Sequence, residues 1–322
     1  MKKSLFMLLA AGFLLTGCVV MTLPGVSPLK EKTIGGSGRD KILLINISGV
    51  IRDRKEKNLL GSDTSRTLTA RIREELDMAR EDKRVKALIL RINTPGGHVT
   101  TSDTIYHEIK SFKKDTGVPV VAEFMDMAAS GGYYIGVAAD RIVAQPTTIT
   151  GSIGVVAYNV DATGLLDKIG INERTIKSGD KKDLGSPLRG MTVEEHEILQ
   201  SIINELYERF LGVVLENREE LIGRDRLMEI SDGRVYTASQ ALELRLIDRV
   251  GYMDDAVSYA RELAGIDEAT LVTYSESDSY RKNFYSSSGA PPVTPSVVNL
   301  VNINTSFMNE AAGPRFMYIW MP

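Results

Sequence analysis

The chain has a single cysteine in 322 residues, at position 18. That excludes an intrachain disulfide framework and any site built from several thiolates. Its three histidines, His98, His107 and His196, are too few and too scattered for a His-rich metal centre. Lysine and arginine (39) nearly balance aspartate and glutamate (42), for a formal charge of −3, so the excess of positive charge that marks nucleic-acid binders is absent. Aromatics are scarce at 7%, with one tryptophan. Beyond the first 23 residues no apolar run approaches the roughly 20 residues needed to cross a bilayer, which excludes a multi-span membrane protein. What is present, 43% hydrophobic and 25% charged residues, is the make-up of a globular protein with length for one or two domains and a sizeable core.

The N-terminus reads as an address. Lys2 and Lys3 precede an apolar run over 4–15, and Leu15-Thr16-Gly17-Cys18 puts small residues just before the thiol. This is a signal-peptide layout. It resembles the bacterial lipobox, in which the cysteine is acylated and becomes the new N-terminus. The competing reading is an uncleaved anchor, because 4–23 holds about 20 mostly apolar residues. Either way the body is expected in the cell envelope, outside the cytoplasm and tethered to a membrane. Residues 1–17 are then a lipoprotein signal peptide, and 18–39 a tether and Pro/Gly/Ser linker.

From 40 to 274 short apolar runs alternate with helical patterns. Strands are expected at 42–47, 85–92, 118–124 and 141–145. Helices are expected at 65–82, 99–116 (stopping at Gly117), 131–139, 192–222, 237–247 and 253–264, the fourth opened by a Thr192/Glu195 capping box. The alternation predicts an α/β domain with a parallel sheet, whose chemistry sits at the carboxyl ends of strands. Residues 275–322 form a tail, Ser/Pro-rich and expected to be mobile over 275–297. It ends in the apolar Phe316-Met317-Tyr318-Ile319-Trp320, which is expected to dock, either in a neighbour's groove or on its own body.

Two strand ends carry candidate chemistry. Asn93-Thr94-Pro95-Gly96-Gly97 follows the strand 85–92, and a Pro-Gly-Gly turn exposes backbone N–H groups that can hold an oxyanion; an ordinary strand-to-helix turn reads the same way. Ala128-Ala129-Ser130-Gly131-Gly132-Tyr133-Tyr134 places Ser130 where a strand turns into a helix, with glycines that admit a substrate backbone. The layout resembles a nucleophile elbow without its G-x-S-x-G string, and it equally suits a simple N-cap hydroxyl. A serine nucleophile needs a base. His196 lies in the polar start of a helix, His107 within a helix, and His98 in the loop after the Pro-Gly-Gly turn, so a Ser-His-Asp triad is not favoured. A Ser-Lys pair remains, with Lys177, Lys181 and Lys182 as candidates.

Ser130 with Gly-Gly-Tyr-Tyr, Ala139-Asp140-Arg141-Ile142, Thr150-Gly151-Ser152-Ile153-Gly154-Val155, Ile176-Lys177-Ser178-Gly179, Ser186-Pro187, Met191-Thr192, Glu194-Glu195 and Gly233-Arg234-Val235-Tyr236-Thr237 occur in order and at tight spacing. Together they resemble the bacterial signal peptide peptidase SppA (protease IV) family over roughly 42–265. The resemblance implies a ClpP/crotonase-like parallel-sheet fold with helical extensions for oligomerisation, and a serine endopeptidase acting on signal-peptide remnants and other unfolded peptides. It implies Ser130 as nucleophile, Lys182 as general base, Ser152 orienting the lysine, and Gly97 (or Gly96) with Gly131 as oxyanion donors. It calls for no metal or cofactor. The implied partners are peptide substrates, the membrane, and further copies of the chain, with Ser130 and Lys182 of one site coming from different protomers. Arg245 stands where the family usually has glycine, and Ala238 replaces another. Two other classes are a crotonase-type acyl-CoA enzyme and an inactive envelope scaffold.

Overall fold

The computed structural model describes residues 27–54, 66–275, 283 and 315–320. The expectations for the leader, for Cys18 and for 276–314, Asn283 aside, lie outside the described residues. The apolar runs form parallel neighbours: β2 (Lys41–Ser48), β3 (Val85–Thr94), β5 (Val120–Ala129) and β6 (Arg141–Ala144). Successive side chains on these strands point to opposite faces. Leu43, Ile45, Leu88 and Leu90 therefore enter one core, and Ile42, Leu44, Ala87 and Ile89 the other.

The larger core is covered by α1 (Leu68–Glu81), α2 (Val99–Thr116), α3 (Gly131–Gly136) and α5 (Val193–Arg218), which supply Ile72, Ile109, Tyr133 and Phe210 among others. The smaller core is closed by α8 (Met253–Ala264) through Met253, Ala256 and Ala260. Among the described residues nine strands make the main sheet. Its order is β1-β11-β2-β3-β5-β6-β10, with β7 and β9 branching from β5. Here β1 is Lys30–Gly36, β7 Ile149–Gly151, β9 Val235–Thr237, β10 Arg249–Val250 and β11 Thr270–Ser275. This is the expected α/β architecture.

Two expectations need correction. The linker over 18–39 contains β1, which pairs antiparallel with β11; Ile34 is buried in the smaller core, so the Gly-rich composition concealed an edge strand. The strand expected to end at 124 continues to Ala129, because β5 changes partner: Val121–Phe124 pair with β6, and Met127–Ala129 pair with β7. Thr148 secures this fork by donating its hydroxyl to the Phe124 and Met125 carbonyls, and Asn93 Oδ1 accepts the Met127 N–H at 3.2 Å. The tail carries β12 (Arg315–Ile319), which lies between β4 (Gly96–His98) and β8 (Val156–Tyr158), antiparallel to both. The apolar terminus thus packs on its own body.

Helix boundaries follow their local signals. Thr192 and Glu195 form the capping box of α5, and α2 stops at Gly117 with φ +69°. Arg245 adopts φ +58°, the left-handed conformation that glycine favours. Its carbonyl accepts from Arg218 Nη2 at 2.8 Å, while Arg218 also pairs with Asp248 at 2.9 Å, so the turn is kept in spite of the side chain.

Candidate active site

The fork in β5 ends at Ser130. Its backbone, φ +52° and ψ −111°, is a conformation that costs energy for any residue with a Cβ. The surroundings hold it: the Ser130 N–H donates to the Gly151 carbonyl at 2.8 Å, and the Ser130 carbonyl accepts from Tyr134 N–H at 2.8 Å in the first turn of α3. Gly132 has no room for a side chain, since a Cβ there would lie 2.6 Å from a Thr94 methyl. The helix start is thereby pressed against β3. The Ser130 hydroxyl is buried with no hydrogen-bond partner among the described residues. A strained strand–turn–helix bend that sets a hydroxyl at the start of a helix resembles the bend that carries the nucleophile in serine hydrolases.

Ser152 sits alongside. Ala129 pairs with Gly151, so Ser130 and Ser152 lie one residue past paired positions on adjacent strands. Ser152 is buried, also has positive φ (+51°), and donates its N–H to the Arg234 carbonyl at 2.8 Å.

The Pro-Gly-Gly turn forms the opposite wall. Gly96 N–H is taken by Thr94 Oγ1 at 3.0 Å, and Thr94 Oγ1 in turn donates to the Gly49 carbonyl at 2.5 Å. Ile51 N–H donates to the Gly96 carbonyl, and His98 N–H to the Ile51 carbonyl, each at 2.8 Å. These bonds occupy Gly96 and turn the Gly97 amide to the other side of β4. Of the two glycines expected to donate to an oxyanion, Gly97 is the one whose N–H faces the site.

β12 occupies that side. The register pairs Tyr318 with Gly97 and Ile319 with Gly96, and Trp320 N–H donates to the Pro95 carbonyl at 2.8 Å. Hydrogen-bonded pairs alternate along an antiparallel ladder, which makes Tyr318 and Gly97 the next bonded pair. A Cβ on Gly96 would stand 2.0 Å from the Tyr318 carbonyl oxygen and 2.8 Å from the Gly131 nitrogen; one on Gly131 would stand 3.1 Å from the same oxygen. The Tyr318 carbonyl is therefore lodged between the Gly-Gly strand and the N-terminus of α3, beside Ser130.

The three lysines differ in their company. Lys177 pairs with Asp183 at 2.8 Å. Lys181 pairs with Glu194 at 2.6 Å, and that carboxylate raises its pKa. Lys182 is exposed and has no side-chain partner among the described residues. Arg189 ties the segment to α5 through Asp183 and Glu195, both at 2.6 Å. Its guanidinium holds the Asp183 carboxyl far below the usual range and the Glu195 carboxyl at about 2. His107 and His196 are exposed, whereas His98 is half-buried and borders the groove beside β12.

Residues 112–267 match the model of peptidase family S49, and residues 47–149 match that of Clp protease. A putative signal peptide peptidase SppA from Enterococcus faecium is 35% identical over 254 residues, covering 78% of this chain and 72% of that protein. A putative protease of Synechocystis sp. is 38% identical over 231 residues, 72% of this chain and 77% of that one. The chain belongs to peptidase family S49. It is an SppA-type peptidase with an α/β fold of the ClpP kind. Protease 4 of Salmonella typhi is 34% identical over 236 residues, 73% of this chain and 36% of that protein.

In this S49 peptidase, Thr148 supports the site without any motif pointing to it. Asn93 and Thr94 stood within the turn already singled out, yet only the fold shows that the Thr94 hydroxyl occupies the Gly96 N–H and leaves the Gly97 amide to face β12. Tyr318, 188 positions after Ser130 in the chain, carried no signal beyond its apolar neighbours.

Proposed function

We propose that this chain is a membrane-tethered serine endopeptidase that hydrolyses extended apolar peptides, signal-peptide remnants among them, through a Ser130–Lys182 dyad shared between protomers of a homo-oligomer. The observation that carries the reading is the Tyr318 carbonyl seated beside Ser130 against Gly97 and Gly131. A peptide bound as β12 is bound, by strand addition, offers its carbonyl carbon to Ser130 Oγ.

The chemistry follows from the groups in place. Neutral Lys182 takes the Ser130 proton as Oγ bonds to the carbonyl carbon. The oxyanion is stabilised by the Gly97 and Gly131 amides and by the start of α3. The C–N bond breaks, and the lysine returns the proton to the leaving amine. Water then adds to the ester, gives a proton to the lysine, and releases the acid and the free serine. Lys182 suits the base role better than Lys181, whose pKa its Glu194 partner raises, or Lys177, whose ammonium is engaged by Asp183. A second copy of the chain is invoked because Ser130 Oγ has no partner among the described residues and Lys182 is exposed. Acylation of Cys18 supplies the tether; no helix among the described residues is long and apolar enough to cross a membrane.

The test is cleavage of an apolar reporter peptide by wild type, Ser130→Ala and Lys182→Ala. Each variant should lose at least about 1,000-fold in rate. Reassembling the two variants together should restore part of the activity, since some sites then combine an intact serine with an intact lysine. Full activity in either variant rejects the dyad. No recovery in the mixture rejects the shared site. Mass spectrometry of the mature chain tests the lipid on Cys18.

A further inference from the structure

We infer that Ser102 is a positioning residue for the oxyanion hole. Its hydroxyl, on α2, braces β4, which carries the Gly97 amide, against the start of α3, which carries the Gly131 amide. The hole has a use only if Ser130 attacks a carbonyl, so the inference rests on the peptidase reading above.

Two amides stabilise an oxyanion only when their separation is fixed before the charge develops. Gly97 and Gly131 lie on different elements, so packing between those elements must set that separation. Ser102, in the first turn of α2, reaches both. Its Oγ donates to the His98 carbonyl at 3.0 Å, one residue beyond Gly97. The same Oγ lies 2.6 Å from the point where a Cβ on Gly131 would stand, so it fills the space that this glycine leaves. The Gly96 Cα, 3.3 Å from that point, closes the remaining side toward β4. The two bonds from Ile51 hold β4 along its other edge, and neither reaches α3. None of the bracing atoms belongs to β12, so the brace is a property of the body itself.

Helix energetics alone do not call for a serine here. Ser102 is completely buried. Alanine is the better helix former and would bury no polar oxygen. A hydroxyl bonded to the carbonyl four residues back bends a helix more than it steadies one. What alanine lacks is an oxygen wedged between His98 and Gly131. Without that atom a gap opens beside Gly131, and the peptide plane after His98 loses one of its restraints. Losing an oxyanion donor outright costs about 100- to 1,000-fold, so a pair left in place but loosened should cost about 10- to 30-fold. The loss belongs on kcat, because the donors matter most to the charged transition state.

The test compares the full-length wild type with Ser102→Ala and Ser102→Thr, using an apolar reporter peptide and two inhibitors of the same sequence. One inhibitor ends in an aldehyde: Ser130 Oγ adds to its carbon, the lysine takes the serine proton, and the aldehyde oxygen becomes an oxyanion in the hole. The other ends in an alcohol and has no carbonyl there to place. Ser102→Ala should lower kcat about 10- to 30-fold and change KM less than about 3-fold. Its affinity for the aldehyde should fall by the same factor as kcat, and its affinity for the alcohol should hold. Ser102→Thr keeps an oxygen able to bond the same carbonyl, and its kcat should exceed that of Ser102→Ala at least about 3-fold. An unchanged kcat in Ser102→Ala, or no advantage of threonine over alanine, overturns the inference. So does a lowered melting temperature with equal weakening of both inhibitors, the pattern of a purely structural serine. A wild type inert to the reporter and the aldehyde alike would instead overturn the peptidase reading, and this inference with it.

Discussion

Glu123 lies on β5 in the strand that delivers Ser130, fully buried, and it offers a quantitative check on the sheet interior. One carboxylate oxygen accepts from Gln145 Nε2 at 2.9 Å, while the other, Oε2, has no partner among the described residues. Arg91 is paired with it across β3 and β5 and offsets part of the cost of burial. Burial wins, and pushes the carboxyl up from an ordinary 4.5 to about 7. A raised carboxyl favours the folded state below pH 4.5, where both states hold the proton at no penalty. The contribution is lost as pH climbs to 7, because the folded protein must then ionise a buried group. At about 1.4 kcal/mol for each tenfold change in proton affinity, the gap between 4.5 and 7 corresponds to about 3 kcal/mol. Glu123→Gln removes the ionisation and keeps the shape. Its amide nitrogen adds a fixed cost of about 1–3 kcal/mol if unpartnered, identical at every pH. The discriminating quantity is therefore a double difference: the variant's stability relative to wild type, at pH 8 minus pH 4. It should be about +3 kcal/mol by urea unfolding. A value near zero would refute the claim that Glu123 is ionised in a dry interior.

Other perturbations probe the site directly. Thr94→Val strands the Gly96 N–H and removes the donor to Gly49, so stability should fall by about 1–3 kcal/mol in thermal unfolding and peptide cleavage should drop with it. Gly96→Ala places a Cβ on the substrate carbonyl position and should lower kcat/KM at least about 100-fold, measured against an unfolding control. Arg189→Ala releases Asp183 and Glu195; cleavage and labelling of Ser130 by an acylating β-lactone should fall together, because both need the lysine segment in place to take the Ser130 proton. In the wild type the two depressed carboxylates keep that segment tied as pH falls through 5, and the tie should loosen only toward pH 2, visible as faster hydrogen exchange over 177–189. Arg245→Gly relieves the left-handed strain, leaves the carbonyl for Arg218, and should change stability by no more than about +1 kcal/mol in differential scanning calorimetry.

What could be read in the sequence was what local chemistry decides. β2 and β3 are apolar runs long enough to declare themselves, Gly117 stops α2 because it tolerates φ +69°, and Thr192 with Glu195 caps α5 through bonds three residues apart. Ser130 was legible because glycines crowd a strand end. Strands β1, β4 and β7 to β12 escaped; all but β11 are short or lie at edges, and they take their conformation from a partner distant in the chain. The choice between Gly96 and Gly97 depended on Thr94 Oγ1, and the choice among three lysines on which carboxylates the fold brings near. Neither is a property of spacing.

The small sheet has one further consequence. β4 and β8 do not pair with each other; among the named strands each meets β12 alone. Were β12 withdrawn, two parted rails would remain, about 9.5 Å from one another, or twice the usual interstrand spacing. A single fully extended backbone bridges such a gap by bonding on both flanks, whereas a helix of about 10–12 Å diameter is too wide. Folded proteins would be spared by width alone, with no gate required.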